Sequence, residues 1–509
     1  MNSPIPSSTS FPDSPLSKAS ILVIWVALPL IVCTAMAALS LGIIPKGVPG
    51  EWLWTAPNAS LTSWELLAAA ATITLYLGYI SISFKLLELP TTRLIVVLSM
   101  FPAAALVQFG LHLSAPYGYG LAKWPICSFS PGCSGYYLIA KTEASDLPLF
   151  LENYPDWVKT KDALHIGTHP PGLIVSSWAW LHFWESYPDS AKTFMASLPA
   201  EMRDSARNVI RQGVIPAPDQ ASIVSIGASH WLLDAMCVWP IFFLVRKLGG
   251  TNLIAFQTAS LWPVIPSTTM FLPASDSAFA WLVALAVTLS IRNQNSSPTA
   301  SYFVKLLLCG LILGLGMFFS LVFLPAGMII AILISAQPGI STRTKARNIL
   351  TIGAGFLAIT TLWATSTSSN PLSIWYSNQI NHGRFYLEFP RTYWKWILAD
   401  FAETTIGLGL PASLLLLTSL IIQFRSFKRR ESLSSPAVIT TVVLALLALS
   451  GKSLSEVGRL WLPFYPLLIT PVFKTIPELQ SLKFHLWCIA WTMIQLIWLQ
   501  SIVQVVYPI

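Results

Sequence analysis

Charge is scarce in this chain of 509 residues: Asp, Glu, Lys and Arg together supply 10% of it. A soluble globular protein carries about 25%. The deficit excludes a soluble enzyme, a disordered protein and a nucleic-acid binder. Cysteine is also sparse, at six residues, with no CxxC pair and no zinc spacing. The Ser/Pro-rich start, Met1 to Ser20, has no basic n-region and no small-residue cleavage site. The first apolar run therefore reads as a retained helix, not a cleaved signal. No internal repeat and no second soluble domain stand out.

What is abundant is apolar. Hydrophobic residues make up 54% of the chain, and its mean hydropathy is +0.63. This is the composition of a polytopic membrane protein. The 27 glycines and 37 prolines are tolerated in a transmembrane bundle. The net charge of +8 reflects 30 Lys and Arg against 22 Asp and Glu. In a membrane protein that surplus belongs to cytoplasmic loops and implies no anionic partner.

Thirteen apolar runs are candidate spans: 21–44, 64–84, 94–113, 222–245, 253–271, 276–291, 304–319, 321–336, 348–366, 403–424, 436–450, 460–473 and 485–506. The expected fold is an all-α polytopic protein of about 13 transmembrane helices. Residues 1–20 form a cytoplasmic tail and 21–509 a single transmembrane domain. Lys and Arg concentrate in alternate short loops, including Arg246 and Lys247, Arg343 to Arg347, and Arg425 to Arg430. The positive-inside rule then puts the N-terminus in the cytoplasm and the C-terminus outside. Residues 114–218 become a large external loop. Within it, Pro170 to Trp184 is too short to span and reads as a juxtamembrane or re-entrant helix. Lys192 to Gln212 has the pattern of an amphipathic helix lying on the membrane surface. Cys127 and Cys133 share this loop, either as a local disulfide or as two free thiols.

Polar chemistry gathers on the external side. The loop contains His165-Ile-Gly-Thr-His169-Pro170-Pro171-Gly172. The prolines fix the backbone ahead of an apolar helix. His169 then either hydrogen-bonds the turn or serves catalysis or phosphate binding. His165 and His169 are four apart, a spacing that on a helix would allow metal ligation. Ser275-Asp276 opens another apolar run, either as an N-cap or as a site acid.

Asn378 to Trp396 mixes His382, Arg384, Arg391 and Lys395 with aromatics. It reads as an interfacial belt or as a phosphate cradle centred on Arg384. Lys452, Glu456 and Arg459 lie in the last polar segment. Glu456 and Arg459 form an ion pair there, or Arg459 or Lys452 holds a phosphate. His230 and Asp234 lie inside a span, as functional groups or as a buried hydrogen-bonded pair.

The His-Pro-Pro-Gly element closing the first large external loop resembles that of the GT-C membrane glycosyltransferases. The likeness is to the protein O-mannosyltransferase and aminoarabinose-transferase branch. Tyr136 and Tyr137 stand where that family has a tyrosine after an acidic pair. The pair itself is absent, and Glu143 and Asp146 are the nearest acids. Asp276 matches the family's aspartate at the start of a helix after a proline-rich helix end.

The resemblance implies sugar transfer from a polyprenyl-phosphate-linked donor to an acceptor glycan, lipid or protein on the external face, in a bacterial inner membrane. It implies Asp146 or Glu143 as base and His169 as a catalytic group. His165, Tyr137, Asp276, His382, Arg384, Lys452, Glu456 and Arg459 would bind substrate. A divalent metal, if used, has His165, His169 and Asp276 as candidate ligands. A transporter or flippase for lipid-linked or polar substrates, and a non-enzymatic assembly protein, are the alternatives from other classes. Midplane polar sites and repeated halves would mark the transporter.

Overall fold

A computed structural model describes residues 17–210, 213–292, 300–425 and 435–504. Most of the tail read from residues 1–20 lies outside them. So do Lys428, Arg429 and Arg430 of the cationic loop, and Gln212 at the end of the amphipathic segment.

The chain is helical nearly throughout. Six helices among the described residues are long and apolar enough to cross a bilayer: Ala19–Ser40, Ser63–Leu86, Arg93–Leu113, Ala217–Lys247, Thr342–Thr367 and Leu482–Ile502. At 1.5 Å per residue, 20 residues cover the roughly 30 Å of hydrocarbon. Four shorter apolar helices, Ser275–Ser290, Ala300–Gly316, Phe323–Ala336 and Pro436–Leu449, pack among them. One departure from an all-α chain is a two-stranded antiparallel hairpin, Gly47–Val48 with Trp52–Leu53.

Two of the thirteen apolar runs are not continuous helices. Run 253–271 divides into Asn252–Leu261, a 3-10 turn at Trp262–Val264, and Pro266–Phe271. Pro263 and Pro266 lack the N–H that a helix interior needs. Run 460–473 is a chain of short turns, Val457–Leu460, Leu462–Phe464 and Tyr465–Leu468, broken by Pro463 and Pro466. These turns are buried in the core, with Phe464 and Tyr465 almost fully enclosed. Only protein contacts on all sides make such irregular backbone tolerable in a membrane protein.

A third run, 403–424, is bent. Helices Tyr393–Leu408 and Leu410–Arg425 meet at 107° around Gly409, whose φ of +93° suits glycine. Gln495 repairs the break from the Leu482–Ile502 helix. Its Nε2 donates to Ile406 O (3.0 Å) and its Oε1 accepts from Leu410 N (2.8 Å).

Residues 114–210 form short helices that pack on the bundle. Gly172–Ser186 follows the double proline, as the sequence suggests, and has 15 residues. The amphipathic segment is two helices, Pro188–Ser197 and Ala200–Arg207. Its apolar residues turn inward on the protein. Ala191, Met195, Met202 and Ala206 are buried in a second core with Leu181, Trp184, Ala221 and Val224. The amphipathic pattern was legible, but the partner that covers it is the Ala217–Met236 helix.

Candidate functional site

The His-Pro-Pro-Gly loop is held rigidly. Asn378 Nδ2 donates to Gly167 O (2.9 Å) and His169 O (3.0 Å). Asn381 Nδ2 donates to Val158 O (2.7 Å) and Gly167 O (3.1 Å), and Tyr154 Oη to His169 O (2.6 Å). Gly172 completes the anchorage: its N–H reaches Phe318 O at 2.7 Å. A Cβ there would stand 2.5 Å from the same oxygen, so close approach of backbones requires glycine.

Two imidazoles stand on this frame. His165 Nε2 donates to Gly132 O (3.1 Å) and His169 Nδ1 to His165 O (3.0 Å). Carbonyls only accept, so these bonds fix opposite tautomers and leave Nδ1 of His165 and Nε2 of His169 as acceptors. Burial lowers both pKa values. Arg459 and His169 add to the effect at His165, which titrates well below 6.5. At His169 the carboxylate of Asp276 opposes the shift in part. Both rings are therefore neutral at pH 7.

Asp276 and Arg459 close the cleft from the bundle side. The helix Ser275–Ser290 has Ala274 at its N-cap, with no side-chain capping bond. Asp276 is thus not a cap; it lies in the first turn, where the helix dipole still favours its charge. Arg459 Nε stands 3.8 Å from Asp276 Oδ2 and its Nη2 donates to Glu456 Oε2 at 2.7 Å. His230 reaches the same cleft and Nδ1 donates to Pro273 O (2.8 Å). Cys127 and Cys133 form a disulfide in its wall. The enclosed space is about 20 Å³, enough for one water.

Tyr136, which the sequence reading placed beside Tyr137, also lines the cleft, its ring edge-on to His169 at 5.9 Å. Burial and then the Asp276 charge push its phenol pKa well up, so it stays protonated. Asp276 is the one carboxylate lining this cleft among the described residues. His165, His169 and Asp276 share the cleft, yet no three His, Cys, Asp or Glu side chains group as metal ligands among the described residues. The cation at hand is the Arg459 guanidinium.

The other expected site residues lie elsewhere. Asp146 is an exposed N-cap, accepting from Leu149 N (3.1 Å). Glu143 pairs with Lys161 (2.9 Å) and accepts from Trp157 Nε1 (2.6 Å). Partial burial raises its proton affinity, but these bonds outweigh burial and set its pKa below 4.5. Tyr137 is buried away from the cleft, donating to Asp219. Arg384 is spent on Glu388 (3.0 Å), Asn381 (3.2 Å) and the carbonyls of Lys159 and Lys161. It fastens the loop instead of lining the cleft. Lys452 is exposed. His382 feels His169 and Lys452 electrostatically but does not line the cleft. Asp234 and His230 tie their helix to its neighbours and not to each other: Asp234 accepts from Gln108 and His230 donates to Pro273 O.

A second space is lined in part by chain neighbours of the first. An apolar cavity of about 420 Å³ lies among Leu39, Ile44, Met270, Phe271, Ile406 and Leu499. Trp394 and Leu398, 63% and 67% exposed, form its outer rim. Its inner wall includes Glu403 and Gly458. Phe271 and Gly458 belong to the cavity, whereas Pro273 and Arg459 belong to the cleft. Nothing in the sequence signals this cavity, because its walls come from both ends and the middle of the chain. The chain matches no known protein-family profile and no curated protein.

Proposed function

We propose that this chain is a membrane-embedded glycosyltransferase of the GT-C type. It moves a sugar from a polyprenyl-phosphate-linked donor to an acceptor glycan, lipid or protein at the external face of a bacterial inner membrane. The observation that carries the reading is adjacency. A polar cleft with one carboxylate, one guanidinium and three imidazoles and an apolar cavity are built from the same two stretches of chain, Phe271 lining the cavity and Pro273 the cleft, Gly458 the cavity and Arg459 the cleft. That pairing suits a ligand with a phosphate head and a hydrocarbon tail. On this reading the bent pair, the four shorter apolar helices and the two broken runs complete the set of spans, about 13 in all. The loop 114–218 and the C-terminus are external, and the N-terminus is cytoplasmic.

The roles follow from the donor and acceptor atoms. Arg459 binds the phosphate oxygens. The acceptor oxygen attacks the anomeric carbon, and the bond from that carbon to the phosphate oxygen breaks. The electron pair leaves with the carrier phosphate, whose charge Arg459 stabilises. Asp276 takes the acceptor proton, replacing Asp146 and Glu143 in that role. His169 Nε2 orients the acceptor hydroxyl. The cleft must widen to admit a sugar, which makes closure around the donor part of the cycle.

A transporter for lipid-linked substrates is the second reading. The broken helix at Gly409, with Asp400 and Glu403 on one arm, favours it, since transporters build sites on discontinuous helices. The test uses purified protein in nanodiscs with a polyprenyl-phosphate-linked sugar. Release of free polyprenyl phosphate, dependent on Asp276, is the expected result. Intact donor in nanodiscs, together with movement of a fluorescent donor between leaflets in proteoliposomes, would overturn the enzyme reading.

A further inference from the structure

Arg459 owes its place to an unusual turn. Ser455 and Glu456 adopt φ of 70° and 53° in succession. Two consecutive left-handed residues, neither of them glycine, are strained and persist only when their surroundings over-determine them. The restraint comes from the bent helix. Asp400 Oδ1 accepts from Ser455 N at 3.0 Å, and Glu403 Oε1 accepts from Gly458 N at 3.1 Å. The two acids are three apart on Tyr393–Leu408, hence on one face. They grip the turn at both ends, and Arg459 follows directly.

Neither acid is explained by packing. Asp400 is 1% exposed, and its Oδ2 has no hydrogen-bond partner among the described residues. Glu403 is set in the wall of an apolar cavity. Carboxylates in such places are expensive. A leucine would serve the cavity better, but it would leave the Gly458 N–H without its acceptor.

We propose that Asp400 and Glu403 are positioning residues, which clamp the strained Ser455–Glu456 turn and so aim Arg459 at the cleft. Neither is assigned contact with the reacting atoms. The proposal rests on the glycosyltransferase reading for its consequence, though not for its structural content. The Glu403→Gln variant keeps a carbonyl acceptor, whereas Glu403→Leu and Asp400→Leu do not.

Hydrogen exchange on the full chain in nanodiscs reads the clamp directly. Glu403→Leu should speed exchange of the Ser455–Arg459 amides about tenfold or more, the loss of one hydrogen bond that leaves a buried donor unsatisfied. Exchange elsewhere should be unchanged, and Glu403→Gln should behave as wild type. In the transfer assay Glu403→Leu should raise KM for the donor about tenfold with a smaller change in kcat. The Glu403→Leu/Arg459→Ala double variant should be no worse than Arg459→Ala alone, because both act through one group. Unchanged exchange in Glu403→Leu, or additive losses in the double variant, would overturn the proposal. If the wild type transfers no sugar, the functional reading fails, and the exchange result still decides the clamp.

Discussion

Arg459 and Asp276, far apart in the chain, face each other at 3.8 Å with their side chains only 13% and 11% exposed. One comes from a proline-broken turn, the other from the first turn of a short helix. Arg459 is held by Glu456 at 2.7 Å and stands beside Asp276 and three imidazoles; on the proposed function, a phosphate takes the place of Asp276 next to the guanidinium.

The first expectation separates Asp276 from Asp146. Asp276→Asn should reduce transfer by at least a hundredfold, as removal of a general base does at roughly 10²–10⁴. Asp146→Asn keeps a good N-cap and should leave transfer within about twofold, with a stability change of a few tenths of a kcal/mol. Single-turnover assays on both variants read this; the reverse ranking would return the base to the loop.

Arg459 and Arg384 should part in the same way. Arg459→Ala should weaken binding of farnesyl phosphate about tenfold or more, with Arg459→Lys recovering part of it. Arg384→Ala loses a half-exposed ion pair and should cost under about 1 kcal/mol of stability. Its phosphate affinity should be unchanged. Isothermal titration in detergent measures both, and equal losses would place Arg384 on the ligand.

Gly172 should tolerate no side chain. Its missing Cβ makes room for Phe318 O at 2.5 Å. Gly172→Ala should destabilise the protein by about 1–3 kcal/mol, as overpacking does. A fall in thermal midpoint should accompany it, and an unchanged midpoint would mean that the Phe318 segment yields freely.

Stability should decline in mild acid. Burial, aided at His165 by Arg459, keeps the two cleft imidazoles below their ordinary 6.5 in the native state. Below that pH the unfolded chain binds protons that the native chain does not. Their contribution is therefore complete above about pH 6.5 and is lost progressively beneath it. Thermal midpoints at pH 7.5 and 5.5 should differ, and the difference should shrink in His165→Gln/His169→Gln.

Orientation is open to direct labelling. Cys127 and Cys133 are joined and buried, so exposed positions serve better. In a Cys33→Ser background, Lys452→Cys should react with a membrane-impermeant maleimide in intact cells. Arg343→Cys should react only after permeabilisation. The opposite pattern would invert the topology and move the cleft to the cytoplasmic face.

His165, His169, Asp276 and Arg459 were each legible as residues of interest because each carries a local signal; that they would meet without Asp146 and Arg384 was not. Proline doublets, helix openings and a charge beside an apolar run can all be read in one dimension. Asp146 and Arg384 carry equally good local signals, yet their nearest partners satisfied them: a backbone N–H for one, Glu388 and carbonyls for the other. Asp400 and Glu403, just before and at the start of the run 403–424, carry no such local signal. Only the return of residues 455–458 against that helix gives them work. The long helices followed from hydropathy. Pro463 and Pro466 marked a break in the sequence, but the breaks at Pro263 and Gly409 did not follow, because an apolar run reads the same whether straight or broken when all its sides are covered.

The elbow at Gly409 would ordinarily be a joint. A helix interrupted at 107° breaks the bond that Leu410 N would make to Ile406 O, and water at such a point lets the arms swing. Gln495 bonds both atoms from a single side chain, standing in for the missing peptide unit. The corner is thereby braced, as a gusset braces a frame. On the proposed function, widening of the cleft is then expected from the loop side, since the corner that ends the Asp400–Glu403 arm is tied to the last helix by Gln495.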